Sequence, residues 1–381
     1  MRISVVEMNS KIPEGWRKCK LGDVADVVGG GTPSTKVAEY WNGEIPWITP
    51  KDISNLKNRY ISKGERNISK KGLENSSAKI LPKGTILLST RAPVGYLAIA
   101  KNDIATNQGF RSLIPHNDTD NIFLYYLLKN NIEYLKSQAT GTTFGELSGS
   151  VLKSLIFLFP SLPEQCAIAS VLGSLDDKID LLHRQNKTLE QMAEALFRQW
   201  FVVEADDEWE EVRLGDFFPV VTGKKDANFA TNDGLYPFFT CSQIPLRAPS
   251  YSFDCTAILL AGNGDFNIKH YIGKFEAYQR TYVLIPYNPI YFGFLLTLMK
   301  YYLSEITRGH QGSVINFITK PMIENFVFLL PKCRDLIQEK LIQFNELYRK
   351  IDANDAQIRT LEKLRDTLLP KLMSGEIRVK I

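Results

Sequence analysis

No run of the roughly 18 consecutive apolar residues needed to span a bilayer occurs in this chain of 381 residues. Residues 1–11 lack the apolar segment of a secretory signal. A cytoplasmic protein is therefore expected. Cysteine is scarce, five residues in all, odd in number and scattered (Cys19, Cys166, Cys241, Cys255, Cys333). With no CxxC pair, neither a disulfide framework nor a zinc site is indicated. The four histidines (His116, His183, His270, His310) are far apart and none has a partner at ligand spacing. No Pro-Asp dipeptide exists, which removes a PD-(D/E)xK nuclease motif. No GK[ST] follows a glycine-rich stretch, and no GxGxxG opens a helix, so cofactor binding is not supported. Excess charge is lacking too: a net +4 permits nucleic-acid binding without demanding it.

What the chain does have is repetition. Over residues 163–201 the apolar positions run Ile168, Leu172, Leu175, Ile179, Leu182, Asn186, Leu189, Ala193, Leu196, Trp200. The steps alternate four and three, a coiled-coil seam over more than four heptads. A second seam runs Phe344, Leu347, Ile351, Asn354, Ile358, Leu361, Arg365, Leu368, Leu372. Lys178-Ile179-Asp180 returns as Lys350-Ile351-Asp352, an offset of 172 (350 − 178). Upstream, Trp16 and Leu21-Gly22-Asp23 return as Trp209 and Leu214-Gly215-Asp216, offset 193 (209 − 16). Ile45-Pro46-Trp47-Ile48-Thr49 returns as Tyr236-Pro237-Phe238-Phe239-Thr240, offset 191 (236 − 45). Thr85-Ile86-Leu87-Leu88 returns as Ala257-Ile258-Leu259-Leu260, offset 172 (257 − 85), and Leu113-Ile114-Pro115 as Leu284-Ile285-Pro286, offset 171 (284 − 113). The second copy thus lacks about 20 residues between its counterparts of Trp47 and Thr85.

Each copy reads as a globular α+β domain with a curved or barrel-like sheet, followed by one long helix. The expected divisions are 1–160, 161–205, 206–331 and 332–381. One helix is expected inside each globular part, at 122–136 and 289–304. Neither long helix can bury its seam alone, so the two are expected to pair antiparallel, in a pseudo-twofold arrangement. Aligning the helix ends sets Ile168 against Leu372 and Asn186 against Asn354, a pairing that would fix the register. Arg365 interrupts the second seam opposite Leu175, with Leu364 placed to substitute for it. Asp176 and Asp177 are expected to be solvated or at a subunit contact.

The residues Gly29-Gly30-Gly31-Thr32-Pro33-Ser34-Thr35, followed by Tyr40-Trp41-Asn42-Gly43-Glu44-Ile45-Pro46-Trp47, resemble the first target-recognition domain of the specificity (S) subunits of type I restriction-modification systems. So do Thr106-Asn107-Gln108-Gly109-Phe110 and Pro163-Glu164-Gln165 leading to Leu175-Asp176-Asp177-Lys178-Ile179-Asp180. The resemblance covers nearly the whole chain. It implies two variable recognition domains and two repeated helical regions. It also implies a non-catalytic subunit that selects the DNA sequence and binds two methyltransferase (M) subunits and, in the full complex, restriction (R) subunits. S-adenosylmethionine is then expected on the M subunits and ATP and Mg on the R subunits, with no cofactor in this chain.

DNA reading calls for Arg and Lys toward phosphate and guanine, Asn and Gln toward adenine, and small hydroxyls toward either. Such residues cluster where apolar strands end. In the first copy they are Thr49, Lys51, Asp52, Thr90, Arg91, Asn107, Gln108, Thr142, Thr143 and Phe144. In the second they are Ser242, Gln243, Asn263, Asp265, Lys269, Gln279, Arg280, His310, Gln311 and Ser313. Two glycine-rich stretches, 29–31 and 262–264, are expected to be tight turns. Asn288-Pro289-Ile290-Tyr291 is similar to the (D/N/S)PP(Y/F) site of adenine methyltransferases but lacks the second proline; a helix cap explains it. Two readings compete with a specificity subunit. A single-chain methyltransferase–nuclease would need motifs that are missing, and a coiled-coil scaffold would have no DNA role.

Overall fold

The structure, a computed structural model, describes residues 12–56, 58–91, 93–140, 145–206, 208–309 and 316–380. The chain divides into two compact units, residues 1–182 with 357–381, and residues 183–356. The long helix Leu162–Arg198 and its counterpart Gln338–Ser374 each contribute a segment to both units.

In the first unit, a five-stranded sheet carries the core. Ile86–Thr90 pairs antiparallel with Val94–Ala100 and Arg111–Pro115; Ala25–Gly29 and the parallel Tyr60–Ile61 close its edges. A three-stranded sheet of Trp41–Ile48, Arg66–Ile68 and Ala105–Thr106 lies beside it in sequence order, together with the short helices Pro50–Ser54 and Lys70–Glu74. The second unit has one six-stranded sheet built on Phe253–Ala261, which pairs with Ile268–Ala277 and Thr281–Leu284. Between Phe239 and Phe253 it has no helix, only the strand Leu246–Ala248, which accounts for the residues the second copy lacks.

The sequence offsets recur as strand registers. Arg17 faces Phe159 in one unit and Glu210 faces Leu330 in the other. Val27 faces Leu113 as Val220 faces Leu284. Ile86 faces both Ile99 and Leu113, as Ile258 faces both His270 and Leu284. A register shift of one residue would turn every core side chain outward, so a repeated register means that both copies bury the same positions.

The internal helices are capped as their sequences require. The Asp120 carboxylate accepts from the Phe123 amide at 2.7 Å to start Asn121–Asn130, which breaks at Asn131 before Ile132–Ser137. Asn288 caps the turn Pro289–Tyr291 by accepting from the Ile290 amide, and Phe292–Tyr301 follows. The NPIY tetrapeptide is thus a helix start.

Within each unit the long helices run antiparallel. In the first, Ile179 and Leu182 pack with Ile358 and Leu361, and Ile168 and Leu172 share a core with Leu369, Leu372 and Met373. In the second, Ala193, Phe197 and Phe201 share a core with Phe344, Tyr348 and Ile351. Here the seam departs from expectation. Phe197 is 1 % and Phe201 6 % exposed, while Leu196 and Trp200 are only half-buried. The helix widens to a π turn over Gln199–Val203, and the apolar face moves by one residue to meet the aromatic cluster of Phe294 and Phe344.

Arg365 also departs from expectation. Leu364 stays exposed, and Arg365 remains at the seam because Asp176 lies across from it, 2.7 Å from Nη1. The same carboxylate accepts from Tyr126 Oη at 2.6 Å. Asp176 is therefore largely buried and paired, not solvated, whereas Asp177 stays exposed while it pairs with the buried Arg59 at 2.7 Å. Burial alone would raise the Asp176 pKa, but the Lys129, Arg365 and Tyr126 groups outweigh it and hold it below the usual carboxylate range.

Candidate nucleic-acid interface

Four strand ends meet in each unit. In the first, the Asn107 amide donates to Ile48 O at 2.9 Å, the Thr90 amide to Gly109 O at 2.8 Å, and the Leu147 amide to Thr90 O at 3.0 Å. These bonds gather Thr49, Thr90, Arg91, Asn107 and Gln108 from segments up to about a hundred residues apart. The second unit repeats the arrangement. The Tyr278 amide donates to Phe239 O at 2.9 Å, Gly262 to Arg280 O at 2.8 Å, and Ile318 to Gly262 O at 3.0 Å. Ser242, Asn263, Gln279 and Arg280 lie on the segments so joined. Thr142, Thr143, Phe144, His310, Gln311 and Ser313 lie outside the described residues.

The gathered side chains differ in what they can offer. Thr90 is fully buried and Asn107 Oδ1 accepts from the Gly109 amide at 2.9 Å, so both shape the turn that exposes Gln108. The Gln108 carbonyl accepts from the Thr32 hydroxyl. Thr49 and Asp52 form a capping pair: Asp52 accepts from the Thr49 amide and hydroxyl and from the Glu65 amide. Lys51 is exposed beside Glu65 at 3.1 Å. In the second unit Gln279 donates to Asp226 at 3.0 Å. Lys269 donates to Thr240 O at 3.4 Å, and burial lowers its pKa. Ser242, Gln243, Asp265 and Arg280 are exposed, and among the described residues the Arg280 guanidinium has no partner.

The glycine-rich stretches serve backbone contact. A Cβ on Gly30 would fall 2.1 Å from Asn107 O, and one on Gly31 2.3 Å from the Ala78 amide nitrogen, so 29–31 is a close approach and not the tight turn expected. Gly264 does turn the chain, with φ of +71°. Among the described residues no group of three or more His, Cys, Asp or Glu side chains is placed to hold a metal, and no helix is long and apolar enough to cross a membrane.

Residues 13–191 and 206–363 each match the type I restriction modification DNA specificity domain. The chain belongs to that family. The type I restriction enzyme MjaIX specificity subunit of Methanocaldococcus jannaschii is 37 % identical, over 97 % of this chain and 95 % of its own. The EcoDI specificity subunit of Escherichia coli is 41 % identical over 45 % of this chain and 39 % of its own. The crystal structure of the type I restriction-modification S subunit from M. genitalium has the same fold, with a TM-score of 0.64 over 99 % of each chain at 20 % identity.

Two further residues of this specificity-domain chain join the strand ends, and the reading of strand ends in sequence missed both. Arg111 Nη2 lies 3.2 Å from Glu146, whose other oxygen lies 3.7 Å from Arg91. Arg111 opens the strand Arg111–Pro115, whereas DNA-reading residues were expected only after apolar runs. Glu146 itself forms an isolated bridge with Thr140, with no periodic signal in the sequence around it.

Proposed function

We propose that this chain is the DNA sequence-specificity subunit of a type I restriction-modification system, without catalytic activity of its own. Its target is bipartite and asymmetric, one half read by each globular domain, with 1–160 and 206–331 as the recognition parts and 161–205 and 332–381 as the helical regions. A target read by two separate domains of one chain leaves a non-specific spacer between its half-sites. Two M subunits assemble on the helical regions, and R subunits join in the full complex. S-adenosylmethionine belongs to M, and ATP and Mg to R.

The observation that carries this reading is one scaffold built twice with the same registers and hydrogen bonds, but with different side chains at the joined strand ends. A shared scaffold with divergent tips suits two different short sequences. A purified chain given S-adenosylmethionine, ATP, Mg²⁺ and mixed-sequence DNA should neither methylate nor cleave. With its M subunits added, methylation should appear at one split sequence. Methyl transfer or cleavage by the chain alone would favour the single-chain enzyme, and M-dependent methylation without sequence preference would favour the scaffold.

A further inference from the structure

We propose that Arg91, Glu146 and Arg111 form a clamp that reads a G·C base pair in the half-site of the first domain, an inference that rests on the specificity-subunit reading. Glu146 holds two guanidinium groups at once, with Oε1 3.2 Å from Arg111 and Oε2 3.7 Å from Arg91. The Arg111 guanidinium also donates to Phe110 O at 3.0 Å, which fixes its plane. Arg91 and Glu146 are 40 % and 38 % exposed, so both keep a face toward solvent.

The repeated scaffold identifies what stands in the same three places in the second domain. By the offsets of the paired strands these are Asn263, Tyr282 and Phe317. The backbone there is the same: Leu147 bonds to Thr90 as Ile318 bonds to Gly262. The chemistry is wholly different. Tyr282 is buried and donates to Ile318 O at 2.9 Å, and no charge remains at the three sites. The second copy holds the same backbone with no charge at these places, so the scaffold itself does not require the charges of the first. The difference lies in what the site presents outward.

A carboxylate at this position argues for base edges over phosphates. Beside a phosphate it would be repelled, at a cost in affinity. In the major groove, a guanidinium donates in pairs to guanine O6 and N7, and a carboxylate accepts from cytosine N4. Arginine and glutamate held side by side supply both complements of one G·C pair. The ion pairs hold the arginines in place beforehand, which reduces the ordering lost on binding.

The test uses the chain assembled with its M subunits and a duplex library randomised over both half-sites, with methylated sites read by sequencing. The variants are Glu146→Gln, which keeps the shape, and Arg91→Ala. Wild type should require G·C at one position of one half-site. Glu146→Gln should relax that position by about tenfold to a hundredfold while every other position and the second half-site persist and the melting temperature holds. Arg91→Ala should relax the same position. Unchanged preference at every position, with either a uniform loss of affinity and a lower salt slope or only a lower melting temperature, would overturn the clamp. A wild-type complex that selects no sequence would instead overturn the specificity reading beneath it.

Discussion

Asn186 and Asn354 offer a test of what sets the helix pairing. Asn354 is 1 % exposed and its Nδ2 donates to Asn186 Oδ1 at 2.8 Å. Asn186 Nδ2 donates in turn to Asp355 Oδ1 at 2.7 Å. Replacing Asn186 by leucine removes the acceptor and strands a buried amide donor, which costs about 1–3 kcal/mol. Asn354→Leu removes the donor and leaves the Asn186 carbonyl facing a hydrocarbon, at similar cost. The double variant leaves neither amide without its mate, and the partly exposed Asp355 carboxylate, which loses the Asn186 donor, still reaches water. It should regain most of the loss, a coupling of about 1–3 kcal/mol. The paired amides would then act on orientation and register more than on stability, as a buried seam asparagine can. Amide hydrogen exchange over residues 183–190 and 350–356 reads the local opening free energy for all four proteins. Single-variant losses that add to within about 0.3–0.5 kcal/mol in the double variant would refute the reasoning.

Other outcomes follow from the same geometry. Arg59→Ala, which leaves the Gly173 carbonyl and Asp177 without their buried donor, should destabilise the first unit by about 1–3 kcal/mol in urea unfolding. Asp176, with its pKa depressed in the folded state, contributes stability that is present above the unfolded value of about 3.9 and lost as pH falls through the folded value. Asp176→Asn should therefore flatten the fall in urea midpoint below about pH 4. At Gly293 a Cβ would fall 2.7 Å from the Phe344 backbone carbon, so Gly293→Val should cost about 1–3 kcal/mol or more in the same assay. Arg280→Ala in the assembled complex should either relax one position of the second half-site by about 1–3 kcal/mol or lower the salt slope by about one; no change in either would remove it from the interface.

Much of this was legible because a duplicated sequence carries its own alignment. The offsets between Ile86 and Ile258, and between Leu113 and Leu284, reappear as identical strand pairings, since the apolar positions that reveal the repeat are those the sheets bury. The Asn186–Asn354 contact followed from helix length and spacing alone. Periodicity failed where tertiary partners override it. Phe197 displaces Leu196 from the seam because large aromatic side chains of the domain wait on that face. Arg365 holds a seam position because Asp176 neutralises it and Tyr126 completes the hydrogen bonding. No heptad count can see such a triad. The interface was partly legible for a similar reason: strand ends can be found from apolar runs, but Thr90 and Asp52, polar in sequence, are consumed in holding the turns, and Glu146 reaches its two arginines only through the fold.

The central claim is that each globular domain reads its own half of a split target. Residues 206–331 can be replaced by the corresponding domain of a relative with a different target, the complex reassembled with M subunits, and the methylated sites mapped. The account predicts that one half-site changes to that of the relative while the other half-site persists. A change in both half-sites together, or in neither, would contradict it.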